Sequence, residues 1–152
     1  MKFVGFPNGL NITKEEIKNI ILNQDVSEFD QALIVKSKIG DKLGECKLGK
    51  PDKNAISVTD IKLFPQYRNK GYGKEIKTAL VEYLFNNTEC IGVKATPNKN
   101  NIASQKLQES IGAKRISEGK FVFPQNMKSY TIDVEYYEYI VFKDDWLKNK
   151  SN

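Results

Sequence analysis

The segment that most constrains this chain lies between residues 55 and 87. A β-patterned stretch over 55–64 stops at Pro65, and a polar turn, Gln66-Tyr67-Arg68-Asn69-Lys70, leads into Gly71 and Gly73. There the period of the sequence changes. Past Gly73 the apolar residues stand at Ile76, Ala79, Leu80, Tyr83 and Leu84, the spacing of one helix face, which runs out at Asn86-Asn87. A short strand over 90–95 follows, closed by Thr96-Pro97-Asn98. A second helix then carries Ile102, Ala103, Leu107 and Ile111 on one face, with Gly112 as its stop.

The flanks are different in kind. Thr13, with Glu16 three residues on, opens a helix whose stripe is Ile17, Ile20 and Ile21. Residues 23–30 are polar and irregular. Strand-like runs over 31–38 and 43–48 meet at the hairpin turn Gly40-Asp41-Lys42, and Lys50-Pro51-Asp52-Lys53-Asn54 is a second turn. The rest is β-rich, with runs over 113–117, 120–123 and 130–142. Helix, antiparallel strands and then β-α-β-α-β predict one domain over residues 1–152. The expected class is α/β, an α+β sandwich on a mixed sheet rather than a repeated β-α alternation. A chain of 152 residues suits that reading, since one domain of this size buries roughly 68–70% of its unfolded surface.

Composition removes several chemistries. There is no histidine, which excludes a Ser-His-Asp triad, a Cys-His pair, imidazole proton shuttles and histidine-ligated zinc. The two cysteines, Cys46 and Cys90, are too few for a disulfide scaffold or a four-thiolate metal site, so no metal is expected. Both sit in strand-like runs and read as small core residues of a reducing compartment. Pro7 and Gly9 interrupt the start before an apolar stretch develops, and no run of 18 apolar residues exists elsewhere. A soluble, cytoplasmic protein without membrane attachment is the expectation.

The turn before the first long helix carries the chemistry. A helix N-terminus offers unpaired N–H donors and a partial positive charge, glycines let a phosphate approach the backbone, and Arg68, Lys70 and Lys74 add formal charge. Physically this is a pyrophosphate cradle; the competing reading is a helix start whose glycines serve tight packing. A dinucleotide fingerprint would need a third glycine where Ile76 stands, and a P-loop would need Gly-Lys-Ser/Thr, which is absent. What fits is Arg-x-x-Gly-x-Gly after a strand ending in Leu-Phe-Pro. In this the sequence resembles the GNAT superfamily of acyl-CoA-dependent N-acetyltransferases.

The resemblance extends from about Ala32 to Trp146. Asn101-Ile102-Ala103-Ser104, then Leu107 and Gly112-Ala113, is similar to the family's second signature, one helix and one strand after the first. The asparagine-serine form and the closing Phe142-Lys143-Asp144-Asp145-Trp146 are most similar to the ribosomal-protein N-terminal acetyltransferase branch. The resemblance implies acetyl-CoA as cosubstrate, held between a splayed, parallel pair of central strands near 61–64 and 93–96. Backbone groups of Ile61 and Leu63 would meet pantetheine. Arg68, Asn69, Lys70, Gly71, Tyr72, Gly73 and Lys74 would hold the pyrophosphate, and Asn101 and Ser104 would line the pantetheine or thiol end. A homodimer is also implied.

The implied reaction is direct attack of a neutral primary amine on the acetyl thioester in a ternary complex, with a backbone N–H near Leu63 stabilising the oxyanion. A free amine is mostly protonated at neutral pH, so a base or a water path has to take a proton, and the departing thiolate benefits from an acid. Many relatives carry a tyrosine acid seven residues after the helix asparagine; here that residue is Gln108. Some place a glutamate six residues before the proline; here it is Thr59. Asp60 as base and Ser104 as hydrogen-bond donor are the remaining candidates. Asp60, adjacent to Thr59, should point to the other sheet face. Glu135 and Tyr137 lie further along the sequence. An acyl-CoA binder without turnover is the alternative. A nucleic-acid-binding domain is a weaker one, because a net charge of +5 is moderate and the aromatic strands are better explained as core.

Overall fold

The computed structural model describes residues 2–10, 12–23 and 31–150. The irregular stretch expected over 23–30 lies outside these beyond Asn23. Six strands form one sheet in the order β1-β2-β3-β4-β6-β5. They are β1 (Gln31–Lys36), β2 (Lys42–Leu48), β3 (Ile56–Leu63), β4 (Gly92–Ala95), β5 (Lys114–Phe121) and β6 (Val134–Phe142). All neighbours are antiparallel except β3 and β4, which run parallel. The helices are α1 (Lys14–Leu22), α2 (Tyr72–Asn87), α3 (Ile102–Ser110) and α4 (Lys143–Lys150). Among the described residues, no helix is long and apolar enough to cross a membrane.

Local chemistry explains the element ends. Thr13 and Glu16 form a reciprocal cap on α1: Glu16 Oε2 accepts from Thr13 N–H at 2.7 Å, and Thr13 Oγ1 accepts from Glu16 N–H at 3.2 Å. Gly112 ends α3 in the left-handed region (φ 79) and donates its N–H to Glu109 O at 3.0 Å. The core lies on one side of the sheet. There Leu80, Val81, Leu84 and Phe85 of α2 meet Cys46, Leu48, Val93, Tyr139 and Val141, with Ile111 and Trp146 closing the flank. Both cysteines are free and buried, as small core residues should be.

Two expectations about elements are corrected, and one element is added. The runs 113–117 and 120–123 are one strand, β5, with a register shift between Arg115 and Ser117. Phe123 has left that strand and is buried, its ring 5.3 Å from Phe6 and 4.9 Å from Phe121. The last strand begins at Val134, not at Tyr130. The acidic-aromatic stretch after Phe142 is a helix, α4, whose Trp146 stacks edge-on to Phe85 at 6.4 Å.

Candidate active site

The site is built where two strands part. β3 and β4 pair from Ile56↔Gly92 to Val58↔Lys94 and no further, although β3 runs on to Leu63. Phe64 N–H bonds to Leu43 O on the β2 side at 3.0 Å, so by alternation the N–H and C=O of Ile61 and Leu63 face the opening gap beside β4. Backbone groups so exposed need partners. Asp60 Oδ1 accepts from Ile61 N–H at 2.9 Å, and Leu63 O accepts from Arg68 Nε at 3.0 Å. Arg68 therefore ties the strand end to the turn that follows.

That turn, Pro65–Tyr67 in 3-10 form, delivers the chain to α2. Asn69 (φ 58) and Gly71 (φ 87) are both left-handed, and Gly71 occupies the cap position of α2 without any side-chain cap. The N–H groups of Lys74 and Glu75 fold back onto Gly71 O at 3.0 and 3.2 Å. A Cβ on Gly71 would meet nothing within 4 Å, and one on Gly73 would stand 3.7 Å from Leu107, an ordinary contact. Backbone conformation thus explains Gly71, and packing explains neither glycine. The helix end presents its N–H groups and its positive dipole to open space. A groove of about 530 Å³ runs from Gly71 along Lys74, Glu75, Thr78, Ala79 and Glu82. Lys70 lies 5.9 Å over the ring of Tyr67, which meets Tyr72 edge-on at 6.4 Å.

The other sequence candidates fall in distinct places. Asn101 caps α3, its side chain accepting from Ser104 N–H at 3.2 Å, so the pair is brought together by a helix-start bond. Asp60 is exposed on the sheet face away from α2, beside Lys62 at 3.6 Å, which also holds Glu45 at 3.0 Å. Gln108 is buried at the far end of α3. Tyr139 donates its hydroxyl to Glu109 at 2.9 Å, and burial together with that carboxylate pushes its pKa up. Tyr137 lies between two cations, Arg115 at 4.4 Å and Lys99 at 5.4 Å from its ring, while Lys99 is ion-paired to Glu118 at 3.3 Å. Among the described residues no cluster of side chains fits a metal ion.

Sequence reasoning missed Lys77. It stands one turn past Gly73, on the inward stripe with Leu80, Val81 and Leu84, and is only 2% exposed. Its Nζ donates to Thr59 Oγ1, itself 4% exposed. Desolvation pushes its pKa down to about 8, partly countered by the charge of Asp60. The signal was a lysine in an apolar helical stripe, which the reading of the stripe passed over.

A model of the acetyltransferase (GNAT) domain matches residues 1–114, which include the strand gap, the α2 glycines and α3. The chain is 32% identical over 82 residues to the uncharacterized N-acetyltransferase YnaD of Bacillus subtilis (strain 168). That match takes in 54% of this chain and 46% of the relative, so the chain spans about half the length of that protein. It is similar in structure to spermidine N-acetyltransferase from Vibrio cholerae in complex with CoA and spermine. There the TM-score is 0.73 at 12% identity, over 93% of this chain and 80% of the other. A further likeness is to aminoglycoside acetyltransferase AAC(6')-Ib in complex with coenzyme A, with a TM-score of 0.60 at 18% identity over 77% and 68%. The structural likenesses establish the fold, and it is the α/β class with a splayed parallel pair that the sequence predicts.

Proposed function

Because the chain belongs to the GNAT acetyltransferase family, we propose that it transfers an acetyl group from acetyl-CoA to a primary amine by direct attack in a ternary complex. The observation that carries this is the gap between β3 and β4 past Val58↔Lys94, followed at once by an open, glycine-lined start of α2. The pantetheine arm, a chain with two amides, takes the place of the missing strand pairing against Ile61 and Leu63. To do so it displaces the Asp60 carboxylate from Ile61 N–H. The pyrophosphate lies on the N–H groups of Gly71, Tyr72 and Gly73, with Arg68, Lys70 and Lys74 supplying charge. Asn69, left-handed before Gly71, sets the turn that aims these groups. Ser104, on the first turn of α3, lines the pantetheine or thiol end as a hydrogen-bond donor. The acceptor is a primary amine that attacks in its neutral form, and with no histidine and no tyrosine at 108 its proton leaves by a water path.

Thermal shift with acetyl-CoA tests the binding half. The wild type should be stabilised by about 2.7 kcal/mol at a hundredfold excess over Kd. Gly73→Glu is the matched control: a first-turn glutamate suits the helix dipole and leaves the fold intact, while its carboxylate repels the phosphates. No shift for the wild type at millimolar acetyl-CoA refutes the proposal. Thiol release with spermidine, kanamycin and N-terminal peptides as acceptors tests the transfer half. The second reading, an acyl-CoA binder without turnover, is favoured by Gln108 in the place of an acid. It predicts the thermal shift without thiol release above background.

A further inference from the structure

Lys77 has no task in the reading just given, and its position is costly. An ammonium taken out of water loses several kcal/mol of hydration unless an anion compensates. Among the described residues its bond is to the neutral hydroxyl of Thr59, and it forms no ion pair with a carboxylate. Thr59 is the first residue of β3 past the last rung shared with β4. By that register its neighbour across the gap is Ala95, a small, buried side chain. The amine is therefore held at the apex of the opening, on the α2 side, with donor capacity beyond the one bond to Thr59.

Resting on the acetyl-transfer reading, we propose that the Lys77 ammonium, seated on Thr59 at the apex of the β3–β4 gap, is the counter-cation and proton donor for the sulfur of CoA. Attack of the neutral acceptor amine forms the C–N bond and breaks the C–S bond. The electron pair leaves on sulfur, a proton moves from Lys77 Nζ to that sulfur, and CoA departs as the thiol. The acceptor nitrogen sheds one proton to solvent, and solvent returns one to Lys77. The buried cation then has its anion only when the leaving group forms, which is the condition for stabilising a transition state more than a ground state.

The neighbourhood agrees with this assignment. Asp60, next on β3, is the charged group that acts on Lys77, and it does so from the opposite sheet face. On the core side Cys46 of β2 has its pKa pushed up by burial, and Tyr139 of β6 is engaged with Glu109 of α3. Lys74 and Glu75 on α2 belong to the helix start. No other cation stands in the core cluster beneath α2 among the described residues.

Thiolate absorbance of bound CoA in the ultraviolet, titrated from about pH 6 to about pH 10, tests the pairing without knowledge of the acceptor. In the wild type the thiol of bound CoA should titrate about one unit lower than in Lys77→Met, with Lys77→Arg restoring part of the difference. In the wild type, CoA should also bind about tenfold tighter than desulfo-CoA near pH 8, where the thiolate and the Lys77 ammonium coexist, a preference that Lys77→Met removes. Thr59→Val, which leaves the lysine in place but unseats it, should reduce both effects. Equal thiol titration in the wild type and Lys77→Met, with both binding CoA, overturns the assignment and leaves the acetyl-transfer reading standing. Failure of the wild type to bind CoA overturns that reading and the assignment with it.

Discussion

At the scale of single residues, Lys77 sets stability against chemistry. Its folded pKa of about 8 lies below the ordinary 10.5, so the unfolded chain binds its proton more tightly. Stability from this group is therefore full above about pH 10.5, falls as the pH drops, and reaches its low plateau below about pH 8. The displacement corresponds to about 3 kcal/mol. Lys77→Met, an apolar side chain of similar length, should accordingly be more stable than the wild type at neutral pH by up to about 3 kcal/mol, and less so as the pH rises. Urea denaturation of both proteins at several pH values measures the difference. Comparing the two also cancels the opposing drift from Cys46 and Cys90, whose raised pKa values act alike in each. A gap that does not narrow with pH would refute the assignment of the cost. Gly71 illustrates the opposite case, a residue legible from sequence. Its φ of 87 makes Gly71→Ala cost roughly 1–2 kcal/mol whatever it binds, so Gly73 is the cleaner probe of the proposed phosphate site.

At the scale of elements, the capping signals were readable because they are local. Thr13 with Glu16, and Gly112, act within one helical turn and stand where the sequence put them; the equally local Asn101–Ser104 cap lies inside a signature that the sequence reading took as a cofactor contact. Asn101→Ala should lower the unfolding free energy by about 1 kcal/mol, and Asn101→Asp should restore it, read as urea midpoints. Equal midpoints for all three would deny the cap. The β5 strand was harder to read because its residues are exposed on both faces, so an apolar alternation never develops. α4 was harder still. It holds one buried residue, Trp146, and is fastened by polar contacts the sequence does not reveal. Lys143 Nζ donates to Phe85 O, Lys114 pairs with Asp145 at 2.8 Å, and Lys150 pairs with Glu82. The site divides the same way. The turn from Arg68 to Gly73 was legible as an open helix start from its glycines, whereas Lys77 meets Thr59 only after the strand and the helix have packed.

At the scale of the whole molecule, α2, the end of α3 and α4 share one face of the sheet, and Trp146 closes the core where α4 meets Phe85. Trp146→Ala should cost about 3–5 kcal/mol, detected as a large fall in the denaturation midpoint; a loss under about 1 kcal/mol would show that α4 is not part of the core. Acetyl-CoA affinity should weaken with added salt if Arg68, Lys70 and Lys74 hold its phosphates as proposed, since they would act through screened charge. A salt-independent Kd would count against them. The strand order has a consequence of its own. β5 is bonded in the sheet only to β6, which comes after it in the chain and inserts between β5 and β4. During synthesis β5 therefore emerges with no place to dock, and the β4-β6-β5 half of the sheet assembles only once β6 has been made. A chain cut before β6 leaves β5 as an unpaired ribbon beside an exposed β4 edge, a template for association with other chains. The order of assembly thus makes β6 the gatekeeper against such association.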